Sequence, residues 1–191
     1  MTREKDFDVV VARREMTQLF RRSGYRATSM KDLEAVTGLL SGSLYNAFGG
    51  KQDVFLSSLD FYLANVVKRR IDEHLHGDDP MECIRALFTT TYHAALGKER
   101  GCLLTNTAIE IGMHDKPTHT KVIAGIRMFE REFLELVKRG QAAGKIPSTK
   151  DPQKLARQLC VSYQGMLVLV KVVATKKVLD EYTDSILDSL T

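Results

Sequence analysis

An all-α fold of about nine helices is what this sequence predicts, and three observations carry it. Apolar residues recur three and four positions apart through most of the chain, which gathers them on one face of a helix, and no segment shows convincing strand alternation. Helix-end signals punctuate the sequence: a capping serine or aspartate, a glycine after the last periodic residue, a proline at a first helical position. Only four prolines interrupt the 191 residues. The expected division is a three-helix N-terminal domain over residues 3–62 and a larger helical domain over residues 63–191.

The first helix is expected over 7–23, with Val9, Ala12, Met16, Leu19 and Phe20 on its apolar stripe and Gly24 ending it. Ser29-Met30-Lys31-Asp32 then reads as a capping box. Met30, Leu33 and Val36 or Thr37 follow at helical spacing, and Gly38 stands where a left-handed residue closes a helix. A second short helix begins near Ser41, with Leu44 and Phe48 as inward anchors and Tyr45 and Asn46 nearer the surface. Two short helices around a tight glycine turn, about residues 29–48, form the pattern that lays a recognition helix in a DNA major groove. The first helix supplies the third side of that small bundle.

Gly49-Gly50 breaks the chain, and a long helix runs from Lys51 to about Leu75, with Val54, Phe55, Leu59, Tyr62, Leu63 and Val66 inward. It is the natural mechanical link between the two parts. Gly77-Asp78-Asp79-Pro80 is a turn. Further helices are expected at Met81–Leu96, Cys102–Gly112 and Pro117–Gly140. Asp151-Pro152 is a cap followed by proline at the first helical position, opening an apolar helix to about Ala174. Val178–Leu190 is the last.

Bulk properties narrow the function. Net charge is only +4, but residues 1–51 hold nine Lys/Arg against six acids, so the positive excess sits with the DNA motif. Cys83, Cys102 and Cys160 are odd in number, widely spaced and in no CxxC pair. That argues against a disulfide framework or a zinc site and for reduced thiols. No leader and no bilayer-length apolar run is evident, so a cytoplasmic location is the expectation. No Ser-His-Asp elbow, phosphate-cradling glycine loop or HExxH is present. An enzyme is therefore the weakest class, and no cofactor or metal is expected. His74 and His76 with Asp78 and Asp79 are the one dense histidine set, but i and i+2 do not share a helix face.

Residues 16–62 resemble the N-terminal domain of the tetracycline-repressor (TetR/AcrR-type) family of bacterial transcription regulators. The resemblance rests on Phe20, Gly24-Tyr25, Thr28-Ser29-Met30, Leu33 and Thr37-Gly38-Leu39, then Gly42-Ser43-Leu44-Tyr45, Phe48-Gly49, Lys51 and Phe55. It implies a homodimer joined through the last two helices, bound to double-stranded operator DNA and released by a small-molecule effector. Carried over by position, Ser29, Tyr45 and Lys51 would hold phosphates, while Ser41, Gly42, Ser43 and Asn46 would face base edges. Two departures bear on this. Leu40 cannot cap a helix, leaving Ser41 to take that role one residue later. Glu34 stands where the family has a small residue, so it must bend outward or pair with an arginine such as Arg26.

Sensing has two candidate forms. Cys102 follows Lys98, Glu99, Arg100 and Gly101 at an expected helix N-terminus, where cations and the helix dipole favour a thiolate. Members of one branch that share the Gly101-Cys102-Leu103-Leu104 phrase and Asn106 use a cysteine here, and Lys171 is a possible partner; a small buried core cysteine is the competing reading. The alternative is an apolar ligand pocket among Phe61, Leu87, Phe88, Tyr92, Ile109, Met113, Phe129, Phe133, Tyr163 and Met166, with Asn106 or His93 as polar anchors.

Overall fold

In the computed structural model, residues 8–93, 101–111, 115–173 and 175–191 are described. Ten α-helical segments occur in the order α1 (Val9–Ser23), α2 (Met30–Thr37), α3 (Ser41–Phe48), α4 (Lys51–Tyr62), α5 (Lys68–His74), α6 (Pro80–His93), α7 (Leu103–Glu110), α8 (Lys116–Ala142), α9 (Pro152–Leu169) and α10 (Lys176–Asp188). A π-helical turn, Leu63–Val67, joins α4 to α5 without a break, so the described residues form nine helical rods and no strand. The all-α expectation holds. The π turn was not legible as a departure in the long helix; such turns insert one residue and frequently lie at functional sites.

Local chemistry explains the N-terminal helices. The Asp8 carboxylate accepts from the amides of Val10 and Val11 and starts α1. Ala12, Met16 and Phe20 are buried as expected, whereas Val9 faces solvent with Val10 and Val11. The Ser29 capping box is complete: the Asp32 amide donates to Ser29 Oγ, and the Ser29 amide donates to the Asp32 carboxylate at 2.8 Å. Gly38 ends α2 in the left-handed region at φ 69°. Leu44 and Phe48 then drop into a core shared with Leu33, Met16, Phe20 and Phe55. Phe20 and Phe55 meet edge to face at 4.9 Å, and Tyr25 lies 4.8 Å from Phe55.

The larger body packs α8 against α9, with α6 and α10 alongside. Asp115 caps α8, accepting from the Thr118 amide at 2.9 Å, and Asp151 caps α9, accepting from the Gln153 amide at 2.8 Å. An aromatic cluster fills the centre: the Tyr163 ring lies 4.9 Å from Phe129, 5.4 Å from Phe88 and 6.0 Å from Phe133. No helix among the described residues is long and apolar enough to cross a membrane.

Candidate nucleic-acid interface and effector cluster

Helix α3 has two faces. Leu44 and Phe48 are buried, and Ser41, Gly42, Ser43, Tyr45, Asn46 and Ala47 are exposed. The buried pair fixes the helix to the bundle, leaving a ridge of small and hydrogen-bonding side chains clear for a groove. Lys51, in the first turn of α4, carries its ammonium 4.4 Å from the centre of the Tyr25 ring, a cation–π contact that holds the charge at the edge of this face. Ser29 is exposed, and its hydroxyl donates to Asp32 at 2.6 Å.

The structure corrects two details of this tip. Leu40 occupies the N-cap of α3 without a side-chain cap, and Ser41 lies inside the helix rather than capping it. Its hydroxyl donates to the Glu34 carboxylate. Glu34 therefore pairs across the turn with Ser41, not with Arg26. Leu40 is 79% exposed, the most solvent-exposed large apolar side chain in the described structure.

Helix α7 clasps the N-terminal bundle. The Glu110 carboxylate accepts from the amide of Tyr25 at 2.8 Å and of Arg26 at 2.6 Å. Asn106 Nδ2 donates to the Arg21 carbonyl at 3.1 Å, and Arg21 Nε donates to the Gly101 carbonyl at 2.9 Å. Gly24 makes this approach feasible, since a Cβ there would sit 2.6 Å from Glu110 Oε2 and its φ is 81°. Nothing in the local sequence of α7 marks Glu110 as a clasp, because its partners are backbone amides 84 and 85 residues away.

Behind α7 lies a polar cluster within the core. Cys102, the N-cap of α7, is 2% exposed. It is buried, as Cys83 and Cys160 are, in keeping with the reading of a small core cysteine. Beside it are the wholly buried Tyr62 and Tyr163 and the half-buried Arg70. Arg70 Nη1 donates to Tyr163 Oη at 3.0 Å. Burial pushes the Tyr62 phenol well above its ordinary range, with Cys102 adding to the effect, and burial likewise raises Tyr163. Both phenols are therefore neutral at physiological pH.

Other expected effector residues sort by their surroundings. Phe129, Tyr163 and Met166 are buried together, with Phe88 and Phe133 against Tyr163. Lys171 is exposed and donates to Asn106 Oδ1, not to the Cys102 thiol. Asn106 is thus held between Lys171 and Arg21 and is not a free anchor. The Tyr92 hydroxyl donates to Asp180 at 2.7 Å, tying α6 to α10. Ile109 is 72% exposed and lines nothing internal. Met113 and the His93 side chain lie outside the described residues. Among the described residues no group of three or more His, Cys, Asp or Glu could hold a metal ion. Arg70 escaped the sequence reading because it hides in the run Lys68-Arg69-Arg70. Its phase with Val66, Val67 and Ile71 was the available signal.

Comparison with known proteins accounts for both parts of this arrangement. Residues 17–57 match the family described as bacterial regulatory proteins of the tetR family, and residues 80–186 match the tetracyclin repressor-like C-terminal domain. The chain is 30% identical to the HTH-type transcriptional regulator YezE of Bacillus subtilis, over 98% of this chain and all of that one. It is 25% identical to the HTH-type transcriptional repressor DhaR of Mycobacterium sp. strain GP1, covering 91% of this chain and 87% of DhaR. Among solved structures, a cysteine-substituted form of the regulator CifR complexed with a 26-base-pair operator superposes with a TM-score of 0.87, at 25% identity over 99% of this chain and all of that one. The chain belongs to the TetR family of bacterial transcriptional regulators.

Proposed function

We propose that the protein is a homodimeric repressor that binds a pseudo-palindromic operator and leaves it when an effector occupies the body. In this reading residues 3–62 are the DNA-binding domain, with the helix-turn-helix at about 29–48, and residues 63–191 bind effector and form the dimer. The observation that carries it is the α3 face: Ser41, Gly42, Ser43, Tyr45 and Asn46 stand exposed over the buried pair Leu44 and Phe48. Ser43 and Asn46 carry donors and acceptors for base edges. Tyr45 and Lys51 serve as phosphate contacts, and Ser29 as a further one at the α2 N-terminus.

Dimerisation is supported by a stripe on α9 and beyond. Val161 and Val172 are 73% and 75% exposed, with Val168 and the open Gly165 between them and Tyr182 exposed on α10. Apolar residues at three- and four-residue steps around a glycine suit close packing of helices from two subunits. In the dimer, two α3 helices would enter successive major grooves about 34 Å apart. The effector must favour the other separation, since a ligand shifts an equilibrium only by its differential affinity. DhaR, also named a repressor, and the CifR–operator complex support the same reading. Binding, not catalysis, is the proposed activity, in the cytoplasm.

Effector action by ligand has more support than action through Cys102, because the thiol is buried behind α7. The test is a gel shift of the full-length dimer with the DNA upstream of its own gene, repeated over a salt series. Binding that weakens steeply with salt is the expected result. Absence of salt-sensitive binding to that DNA or to any other would reject the repressor reading. For Cys102, electrophile-induced release that persists unchanged in Cys102→Ser would remove the thiol route.

A further inference from the structure

We propose that Leu40 is a base reader: in the complex with operator DNA its isobutyl group packs against the C5-methyl group of a thymine in the major groove. The proposal rests on reading α3 as the recognition helix. It names one feature of the operator, a T·A pair beneath the N-terminal end of α3 in each half-site.

The argument starts from what the tip of α3 lacks. Residues 35–50 carry no charged side chain. Helix α3 therefore offers no guanidinium or ammonium to the O6 and N7 acceptors of guanine, which take the commonest specific contact in this groove. Ser41, the first residue of the helix, has its hydroxyl committed to the Glu34 carboxylate. Gly42 has no side chain, and a Cβ built there would meet nothing within 4 Å. Ser43 adds only a hydroxyl to its Cβ. Leu40 is thus the longest side chain among residues 40–43, and at 79% exposure it stands clear of the core that holds Leu44 and Phe48. Residues at this end of a recognition helix are the ones that contact base edges.

Leucine here also leaves the helix without a cap. Position 40 is the N-cap of α3, with extended backbone at φ −73° and ψ 152° and no side-chain hydrogen bond to the first turn. Serine, threonine, aspartate or asparagine at such a place accepts a free amide and stabilises the helix. The leucine side chain does neither this nor any packing in the bundle core. Its apolar surface contributes free energy only when something covers it. In the major groove the apolar feature on base edges is the thymine methyl. The small neighbours at 41–43 let the helix end come near enough to the base edges for Leu40 to reach it.

The test is a gel shift with an operator fragment that the full-length protein selects from random duplex DNA, made with thymine or with uracil. Uracil pairs as thymine does and lacks only the C5-methyl. The wild type should bind uracil DNA about fourfold more weakly for each methyl contacted, hence roughly tenfold or more over two half-sites. Exchanging thymines one at a time should localise the effect to one symmetric pair of positions. Leu40→Ser should bind thymine DNA more weakly by a similar factor and treat the two DNAs alike, and Leu40→Ala, which adds no hydroxyl, should do the same. Lys51→Gln should weaken both and keep the ratio. Equal affinity of the wild type for the two DNAs overturns the proposal, as does a thymine preference that survives in both Leu40 variants. Either result, obtained with salt-sensitive binding, leaves the repressor reading standing. No selected sequence and no salt-sensitive binding to any DNA rejects both.

Discussion

Glu110→Ala tests whether α7 is the mechanical tie between body and head. The carboxylate accepts two backbone amides, of Tyr25 and Arg26, at 2.8 and 2.6 Å. Hydrogen bonds to a charged group contribute roughly 1.5–3 kcal/mol each in favourable settings. Here both amides can recover water, because Tyr25 is half-buried and Arg26 exposed. A combined loss of about 1–2 kcal/mol is the reasonable figure. For a chain of this size that corresponds to about 2–8 °C in Tm.

The diagnostic effect lies elsewhere. Bundle contacts of α1 with α2 and α4 remain, so the α3 face stays intact and operator affinity in the ligand-free state should change little. The effector-induced loss of affinity should shrink, because the body has lost its grip on the loop after α1. Thermal unfolding and gel shifts with and without effector measure the two quantities. Gly24→Ala offers a second approach to the same contact, since its Cβ would sit 2.6 Å from Glu110 Oε2 at a backbone angle that favours glycine. It should destabilise at least as much as Glu110→Ala. If Glu110→Ala unfolds at the wild-type temperature and retains full effector response, α7 is not the tie.

Four further outcomes follow from the geometry. Lys51→Gln should weaken binding to all DNA sequences alike and lower the salt slope by about 0.9, measured by gel shift across a salt series. Leu40→Ser should cap α3 and raise the unfolding midpoint by the equivalent of about 1 kcal/mol; a lower midpoint would mean that exposed Leu40 packs in a way the structure does not contain. Hydrogen bonds from Ser29 hold the Asp32 carboxyl below its ordinary value. Its stabilising contribution is therefore complete above the unfolded carboxylate range near pH 4 and is lost as pH falls through the lower folded value. Asp32→Asn should flatten the acid limb of the stability curve below about pH 4 and leave the neutral plateau's slope unaltered. A charged aromatic disulfide reagent should find the thiols slow to react in the native protein and all three reactive after unfolding. For Cys160, burial and then Glu130 push the thiol up to about 11; rapid native labelling at Cys102 would revive the thiol sensor.

What the sequence disclosed divides by the range of the interactions involved. The Ser29–Asp32 capping box, the Gly38 turn and the inward pair Leu44 and Phe48 are contacts within four residues or one helical period, so the residues themselves announce them. Asp151 at its helix start is of the same kind, whereas Asp115, expected in a loop, caps α8. Cys102 shows the limit, because exposure depends on what the rest of the chain lays over a residue, and residue type alone leaves a core cysteine and a sensor both open. It stands at the expected helix N-terminus, with Tyr62 and Tyr163, from α4 and α9, beside it in the core. Glu34 paired with Ser41 because the turn between α2 and α3 brings them together, a geometry with no signature in residue type. Arg70 is the instructive case. Three successive cations stand at 68–70, and only helical phase separates the one that turns inward.

The cluster and the DNA face are joined by a short chain of contacts whose members differ in kind. Arg70 to Tyr163 is a single hydrogen bond at a half-buried charge. From Tyr62 the path passes Cys102 to α7, and from α7 to α1 it runs through three side chains that bind backbone: Arg21 to Gly101, Asn106 to Arg21, and Glu110 to Tyr25 and Arg26. Backbone partners make that second half stiff, because peptide groups do not change rotamer, and it requires glycine at position 24, where a Cβ would meet the Glu110 carboxylate. The π turn at Leu63–Val67 lies beside this path, at the place where the long helix departs from α geometry. A shift of that turn toward regular α-helix would rotate Tyr62 relative to Arg70, coupling the same cluster to the head through α4 as well as through α7.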